Sequence, residues 1–367
     1  MSGFPDIGAT LDAVRPEVRS LSAYHLEIEP CRFKLDQNEM PWDLPRRIKE
    51  EIARRLLEQP FAHYPDFHGD ALRRDLGAYH DWPWQGVLVG NGSNELLRAT
   101  LETFAAPGSE VLGTLPTFTL YRPFALASGA RLRTVGPAPD LRLPIAELAA
   151  EIERDPTRPV VLCSPNNPTG DAVAPEVLAR EILDRLEAPL LLDNAYGEFT
   201  AHDYRPLLGR YPNLVIFRTF SKAWSLGGLR VGYLLARPEL VAELIKLKLP
   251  YNLGRCGIEA GRAVLAEPAA MERRVRLLNG RREPWRAMLK RHGIPTLASE
   301  TNFFLARCGG RAPAIHAGLA ARGIRVRDVG GYPGLAGCLR FSVGSGPALR
   351  AVDEALTDMK LQETEMR

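Results

Sequence analysis

Lysine is nearly absent from this chain: seven lysines stand against forty arginines in 367 residues. Cysteine is also sparse. Cys31, Cys163, Cys256, Cys308 and Cys338 are scattered, odd in number and lack a CxxC pair. That pattern excludes a disulfide framework or a zinc knuckle and suits the reduced thiols of a cytoplasmic protein. The seven histidines include no HExxH. His63 and His68 lie near each other, but further ligands do not, so no metal site is expected. Charge of one sign does not dominate either. The formal net charge of +3 is small and evenly spread, so no nucleic-acid footprint is present. No apolar run approaches bilayer length, and the N-terminus has no basic-then-apolar signal, so neither a membrane nor export is expected. Repeats and low-complexity tracts are missing as well.

What is present is a length that suits two domains around a large core, and one lysine in a distinctive setting. Thr219-Phe220-Ser221-Lys222-Ala223-Trp224-Ser225 leads through Gly227-Gly228 to Arg230. Arginine stays protonated, whereas lysine can shed its proton and act as a nucleophile. A lysine kept here, in a chain that otherwise prefers arginine, points to chemistry that arginine cannot perform.

In chain order, residues 1–45 read as an extended, proline-punctuated arm, with a short helix near Arg15–Tyr24 and a strand at Phe33–Asp36 leaving into Asn38-Glu39-Met40-Pro41. Ile48, Ile52 and Leu56 mark a helix at 45–58, and another is expected at 69–80. The strands expected next are 86–90, 110–114, 131–135, 159–163, 188–192 and 214–218, with helices between them. This βα alternation implies a mainly parallel sheet covered on both faces. Polar clusters follow the strands' carboxyl ends, where such sheets hold ligands. Gly92-Ser93-Asn94 follows the first and opens a helix, so free backbone N–H groups and the helix dipole make an anion cup. Gly90-Asn91-Gly92 is also half of a dinucleotide fingerprint, but position 95 is glutamate where the third glycine belongs. Beyond about residue 250 a helix-rich segment runs to about 292. Strands at 302–306, 324–328 and 338–343 then read as a smaller α+β unit.

The ordered set is Gly92-Ser93-Asn94, Phe118, Asn167-Pro168-Thr169-Gly170, Asp193-x-x-Tyr196, Ser221-Lys222 and Arg230. It resembles the fold-type I pyridoxal-phosphate (PLP) aminotransferases, and within them the histidinol-phosphate aminotransferases. The fold implied is α/β, a large domain with a mainly parallel central sheet flanked by helices plus a smaller α+β domain. The arm would span 1–45 and join the small domain, the large PLP-binding domain 46–255 and the small domain 256–367.

The resemblance implies a role for each residue. Lys222 would hold PLP covalently and move the proton. Asp193 would pair with the pyridine nitrogen and keep it protonated. Asn167 and Tyr196 would hydrogen-bond the ring oxygen, and Phe118 would stack on the ring, where the family more often has tyrosine. Gly92, Ser93, Asn94, Thr219, Ser221 and Arg230 would cradle the cofactor phosphate. Tyr24, Asn167, Arg327 and Arg340 would bind substrate. Two arginine forks suit a phosphate dianion, where one suits a carboxylate. Tyr64, in His63-Tyr64-Pro65-Asp66, would reach the neighbouring cofactor phosphate across a homodimer. The activity implied is transamination between L-histidinol phosphate and 2-oxoglutarate in histidine biosynthesis. An aromatic amino-acid aminotransferase or a phosphothreonine-type decarboxylase of the same fold would share most of these residues. A non-catalytic relative would be expected to lose Lys222 or Asp193.

Overall fold

The computed structural model describes residues 7–21 and 30–365, the side chains through 359. In chain order the strands are β1 (Phe33–Leu35), β2 (Val87–Asn91), β3 (Glu110–Thr114), β4 (Arg131–Val135), β5 (Val160–Cys163), β6 (Leu190–Asp193) and β7 (Leu214–Thr219). They continue as β8 (Val231–Leu235), β9 (Phe303–Arg307), β10 (Ile324–Asp328) and β11 (Cys338–Ser342). Seven form one sheet in the order β2-β8-β7-β6-β5-β3-β4, and four form a second in the order β1-β10-β11-β9. The arm therefore reaches the second sheet: Phe33, Lys34 and Leu35 pair in parallel with Ile324, Arg325 and Val326.

The larger sheet is parallel from β4 to β7, as the βα alternation implies. Strand β8 was not expected and runs antiparallel to both neighbours, β2 and β7. Too few residues separate Thr219 from Val231 for a crossover helix, so the chain must turn back on itself. Because β8 is reversed between them, β2 again runs with β7. The carboxyl ends of β2, β3, β5, β6 and β7 thus meet the amino end of β8 along one edge. That edge carries Gly92, Phe118, Asn167, Asp193, Lys222 and Arg230.

Period-two alternation divides the interior. Leu190, Leu192, Leu214 and Ile216 join one apolar cluster, while Leu191, Val215 and Phe217 join another on the opposite face. Both faces are thus covered, which is why β5, β6 and β8 are buried at every residue, and why β6 is apolar at every position before the terminal Asp193. In the second sheet the same alternation sends Leu339 and Phe341 into the core and leaves Arg340 and Ser342 on the other face. Phe341 stacks on Phe304 with ring centroids 6.0 Å apart. No helix among the described residues is long and apolar enough to cross a membrane.

Candidate active site

The loop after β2 is built for close approach. Gly92 has φ +80° and ψ 160°, a region essentially reserved for glycine. A Cβ there would sit 2.5 Å from an Arg230 guanidinium nitrogen. Ser93 then opens the helix Ser93–Phe104, whose first N–H groups have no intrahelical acceptor. From β8, Gly232 presses its backbone against Ser93, where a Cβ would collide. Arg230, at φ +53°, turns back so that its guanidinium donates to Ser221 Oγ at 3.2 Å and to the Gly227 carbonyl at 3.0 Å. Glycine at 92, the helix start at 93, Ser221 and Arg230 therefore converge. Thr219 is used locally: its hydroxyl accepts from the Ser221 N–H (3.1 Å) and donates to the Val231 carbonyl (3.4 Å). The glutamate at 95, which spoils a dinucleotide fingerprint, ties this loop down by accepting from the Asn91 N–H at 2.5 Å.

At the end of β6, Asp193 is buried. Its Oδ2 accepts from the Tyr121 hydroxyl at 2.7 Å, and its Oδ1 from the Ala195 N–H at 3.2 Å. Burial pushes its pKa up, while these two donors and the Lys222 charge oppose the rise. The carboxylate makes no ion pair among the described residues, so it retains capacity for one more donor. Phe118 is half-buried and meets Tyr121 edge-on at 5.5 Å. Phe118, Tyr121 and Asp193 are thereby fixed relative to one another.

Lys222 is half-buried, with its Nζ donating to the Gln37 carbonyl at 2.8 Å and lying 5.9 Å from the Tyr196 ring centroid. Burial, aided by the Arg340 charge, lowers its pKa from 10.5 to about 8. Roughly a tenth of such a group is the free amine at pH 7, far more than for an ordinary lysine. Tyr196 is buried, and its Oη accepts from Asn38 Nδ2 at 2.9 Å. Arg340 is buried too. It donates to Asn167 Oδ1 at 2.5 Å and to the Asp36 carbonyl at 2.6 Å, with its guanidinium 5.3 Å from the Phe303 ring. Because Oδ1 of Asn167 serves Arg340, its Nδ2 remains to donate elsewhere. Arg327 stands directly opposite Arg340 in the β10–β11 ladder, which places both side chains on one face.

Most of the residues read from the sequence are therefore joined by contacts around the strand edge. Asn94 follows Ser93 in the first helical turn. Tyr64 lies elsewhere on this chain: it is 77% exposed and stacks on Tyr251 at 4.5 Å. Tyr24 lies outside the described residues. Sequence reasoning missed Asp36, Gln37 and Asn38, which touch Arg340, Lys222 and Tyr196 in turn, and it missed Tyr121 and Ser342. The Asn-Glu-x-Pro stretch leaving β1 was the available signal for the first three.

This arrangement offers an amine, an isolated buried carboxylate, an anion cup and a pair of arginines. The chain belongs to the class I and II aminotransferase family, whose model matches residues 32–358. Its relatives narrow the likeness. It is 37% identical over 337 residues to the histidinol-phosphate aminotransferase of Chlorobium phaeovibrioides, covering 90% of this chain and 92% of that one. It is 36% identical over 335 residues to the histidinol-phosphate aminotransferase of Deinococcus radiodurans, covering 90% and 92%. The fold is shared with the crystal structure of histidinol-phosphate aminotransferase from Sinorhizobium meliloti in complex with pyridoxal-5'-phosphate. The TM-score is 0.84 at 24% identity, over 94% of this chain and 97% of that one.

Proposed function

We propose that this protein is a PLP-dependent transaminase that moves an amino group between L-histidinol phosphate and 2-oxoglutarate. The substrate assignment draws on the names of the relatives. The observation that supports it in this chain is the in-register pair Arg327 and Arg340, the second of them near enough to Lys222 for its charge to lower that amine's pKa. Two guanidinium forks can neutralise a phosphate dianion in one half-reaction and hold a carboxylate in the other.

The residues present fit the cofactor. The buried Asp193 carboxylate has two neutral donors and room for a third, which a protonated ring nitrogen supplies. The Ser93 and Asn94 N–H groups, Ser221 and Arg230 suit its phosphate, and Gly92 leaves the space. Thr219 takes part by holding Ser221. Asn167 Nδ2 and the Tyr196 hydroxyl suit the ring oxygen, and Phe118 suits a ring face. When bound, PLP supplies an electron-withdrawing ring that stabilises negative charge left at the substrate Cα. Lys222 Nζ takes the proton from that Cα in one half-reaction and returns one in the other; its lowered pKa keeps a usable fraction neutral. Arg340 and Arg327 orient the substrate, and Tyr24 would close over it.

We also read the chain as an arm at 1–45, a large domain at 46–255 and a small domain at 256–367, and the protein as a cytoplasmic homodimer. Tyr64, Phe67 and Tyr251 form a contiguous exposed aromatic cluster, with Phe61 also exposed. Such a patch suits burial against a second copy. Tyr64 of the partner subunit would then complete each phosphate site. Full activity of a monomer at low concentration would contradict this.

A half-reaction screen tests the function. Cofactor-loaded protein is mixed with histidinol phosphate, phenylalanine or phosphothreonine, and loss of the visible band is followed. Histidinol phosphate should react fastest. A faster phenylalanine reaction, or carbon dioxide release from phosphothreonine, would replace the proposal.

A further inference from the structure

Asn38 stands just beyond β1 at φ +55°, a conformation asparagine tolerates better than most residues. All four of its polar groups are committed. Its N–H donates to Ser342 Oγ at 2.9 Å, and its carbonyl accepts from Asn302 Nδ2 at 2.8 Å. Its Oδ1 accepts from Ser342 Oγ at 3.3 Å, and its Nδ2 donates to Tyr196 Oη at 2.9 Å. The order of donors follows from counting protons. Ser342 Oγ already receives the Asn38 N–H, and its own single proton goes to Asn38 Oδ1. That orients the amide with Oδ1 toward Ser342 and Nδ2 toward Tyr196. The Tyr196 hydroxyl has one proton, and burial pushes its pKa up, so it keeps that proton at neutral pH. With a donor already facing it from Asn38, the hydroxyl proton must point to a different acceptor.

We propose that Asn38 is a positioning residue that commits Tyr196 to act as a donor into the cleft, toward the ring oxygen of bound PLP. The inference rests on the reading of Tyr196 as a cofactor contact. It adds a one-way chain of donors, Ser342 to Asn38 to Tyr196 to the ring oxygen. The chain starts on β11, two residues from Arg340, so the strand that carries a substrate contact also orients a cofactor contact.

The test uses aspartate, which is nearly isosteric, tolerates the same backbone and can only accept. In Asn38→Asp the Tyr196 proton is drawn to the new carboxylate, and the ring oxygen loses the Tyr196 donor while keeping that of Asn167. A donor to an anionic oxygen favours the deprotonated chromophore, so its loss should raise the pKa seen in a pH titration of the visible band. The expected rise is about one unit or more, the size of one charge-assisted hydrogen bond. The titration is read on cofactor-loaded wild type, Asn38→Asp, Tyr196→Phe and the double variant. We expect Tyr196→Phe to raise the pKa as well, and Asn38→Asp to add much less in that background, where only the field of the carboxylate acts. Equal effects of Asn38→Asp in both backgrounds, or no effect in either, overturn the role of Asn38. No shift in Tyr196→Phe itself overturns the underlying reading of Tyr196, and the proposal with it. Should Asn38→Asp not fold, Asn38→Gly removes the donor without backbone strain, and its smaller upward shift must likewise vanish in Tyr196→Phe.

Discussion

Replacing Arg340 by alanine separates the two half-reactions' demands on one side chain. Arg340 is 6% exposed, and its guanidinium already makes two short hydrogen bonds, to Asn167 Oδ1 and to the Asp36 carbonyl. A charge-assisted bond is worth about 1.5–3 kcal/mol, so a fork on a substrate phosphate is worth about 3–5 kcal/mol. Its loss should raise KM for histidinol phosphate by about two to four orders of magnitude. A phosphate-free amine such as histidinol should lose less than about tenfold. Steady-state kinetics with both amines at saturating 2-oxoglutarate, followed by variation of the oxo acid, gives each KM. The KM for 2-oxoglutarate should rise too. The Lys222 pKa should also climb, since the Arg340 charge is one cause of its depression. Truncation leaves Asn167 and Asp36 short of a donor, so stability should fall by about 1–3 kcal/mol, measured separately by chemical denaturation. Arg340→Lys keeps charge but not the fork and should recover only part of the affinity. Equal KM changes for the phosphorylated and unphosphorylated amines would refute the phosphate grip.

Lys222→Ala should keep the circular dichroism spectrum of wild type and lose turnover by at least about 10²–10⁴, the usual worth of a positioned acid–base group; retained turnover would end the assignment. In cofactor-free protein the Lys222 pKa is depressed, so between pH 8 and 10.5 the unfolded chain holds a proton that the folded one has released. Stability should therefore rise with pH across that window, and denaturation of Lys222→Met should show the slope removed. Gly92→Ala places a side chain at φ +80° and against Arg230. It should cost about 1–3 kcal/mol and weaken PLP binding in a fluorescence titration. Arg218→Met leaves the side chain of Glu198, its buried partner at 2.9 Å, without a counter-charge and with Trp224 Nε1 as its remaining donor, and should lower stability by about 3 kcal/mol in denaturant melts.

Legibility followed local information. Strands β3, β4 and β10 have the bounds expected, and the motifs at Asn167, Asp193 and Lys222 fall at strand ends as read. Strand β8 escaped because its run begins directly after Arg230, and nothing local says that it must run backward. Tyr121 opens the helix Tyr121–Ala127 with no local mark of function, yet its hydroxyl reaches Asp193, 72 positions away. Asn38 looked like a turn residue, and its partners Tyr196, Asn302 and Ser342 are 158 to 304 positions distant.

The sequence by itself determined the family: a lysine in a motif of a chain that prefers arginine, an acid after a buried strand and a glycine-serine cup need only residue types in order. The tertiary structure decided which neighbours orient them. Burial, the register that sets Arg327 against Arg340, and the return of residues 36–38 across the cleft arise from contacts between distant segments. Proton direction and pKa depend on those contacts, since each is a property of an environment that no single stretch of chain contains.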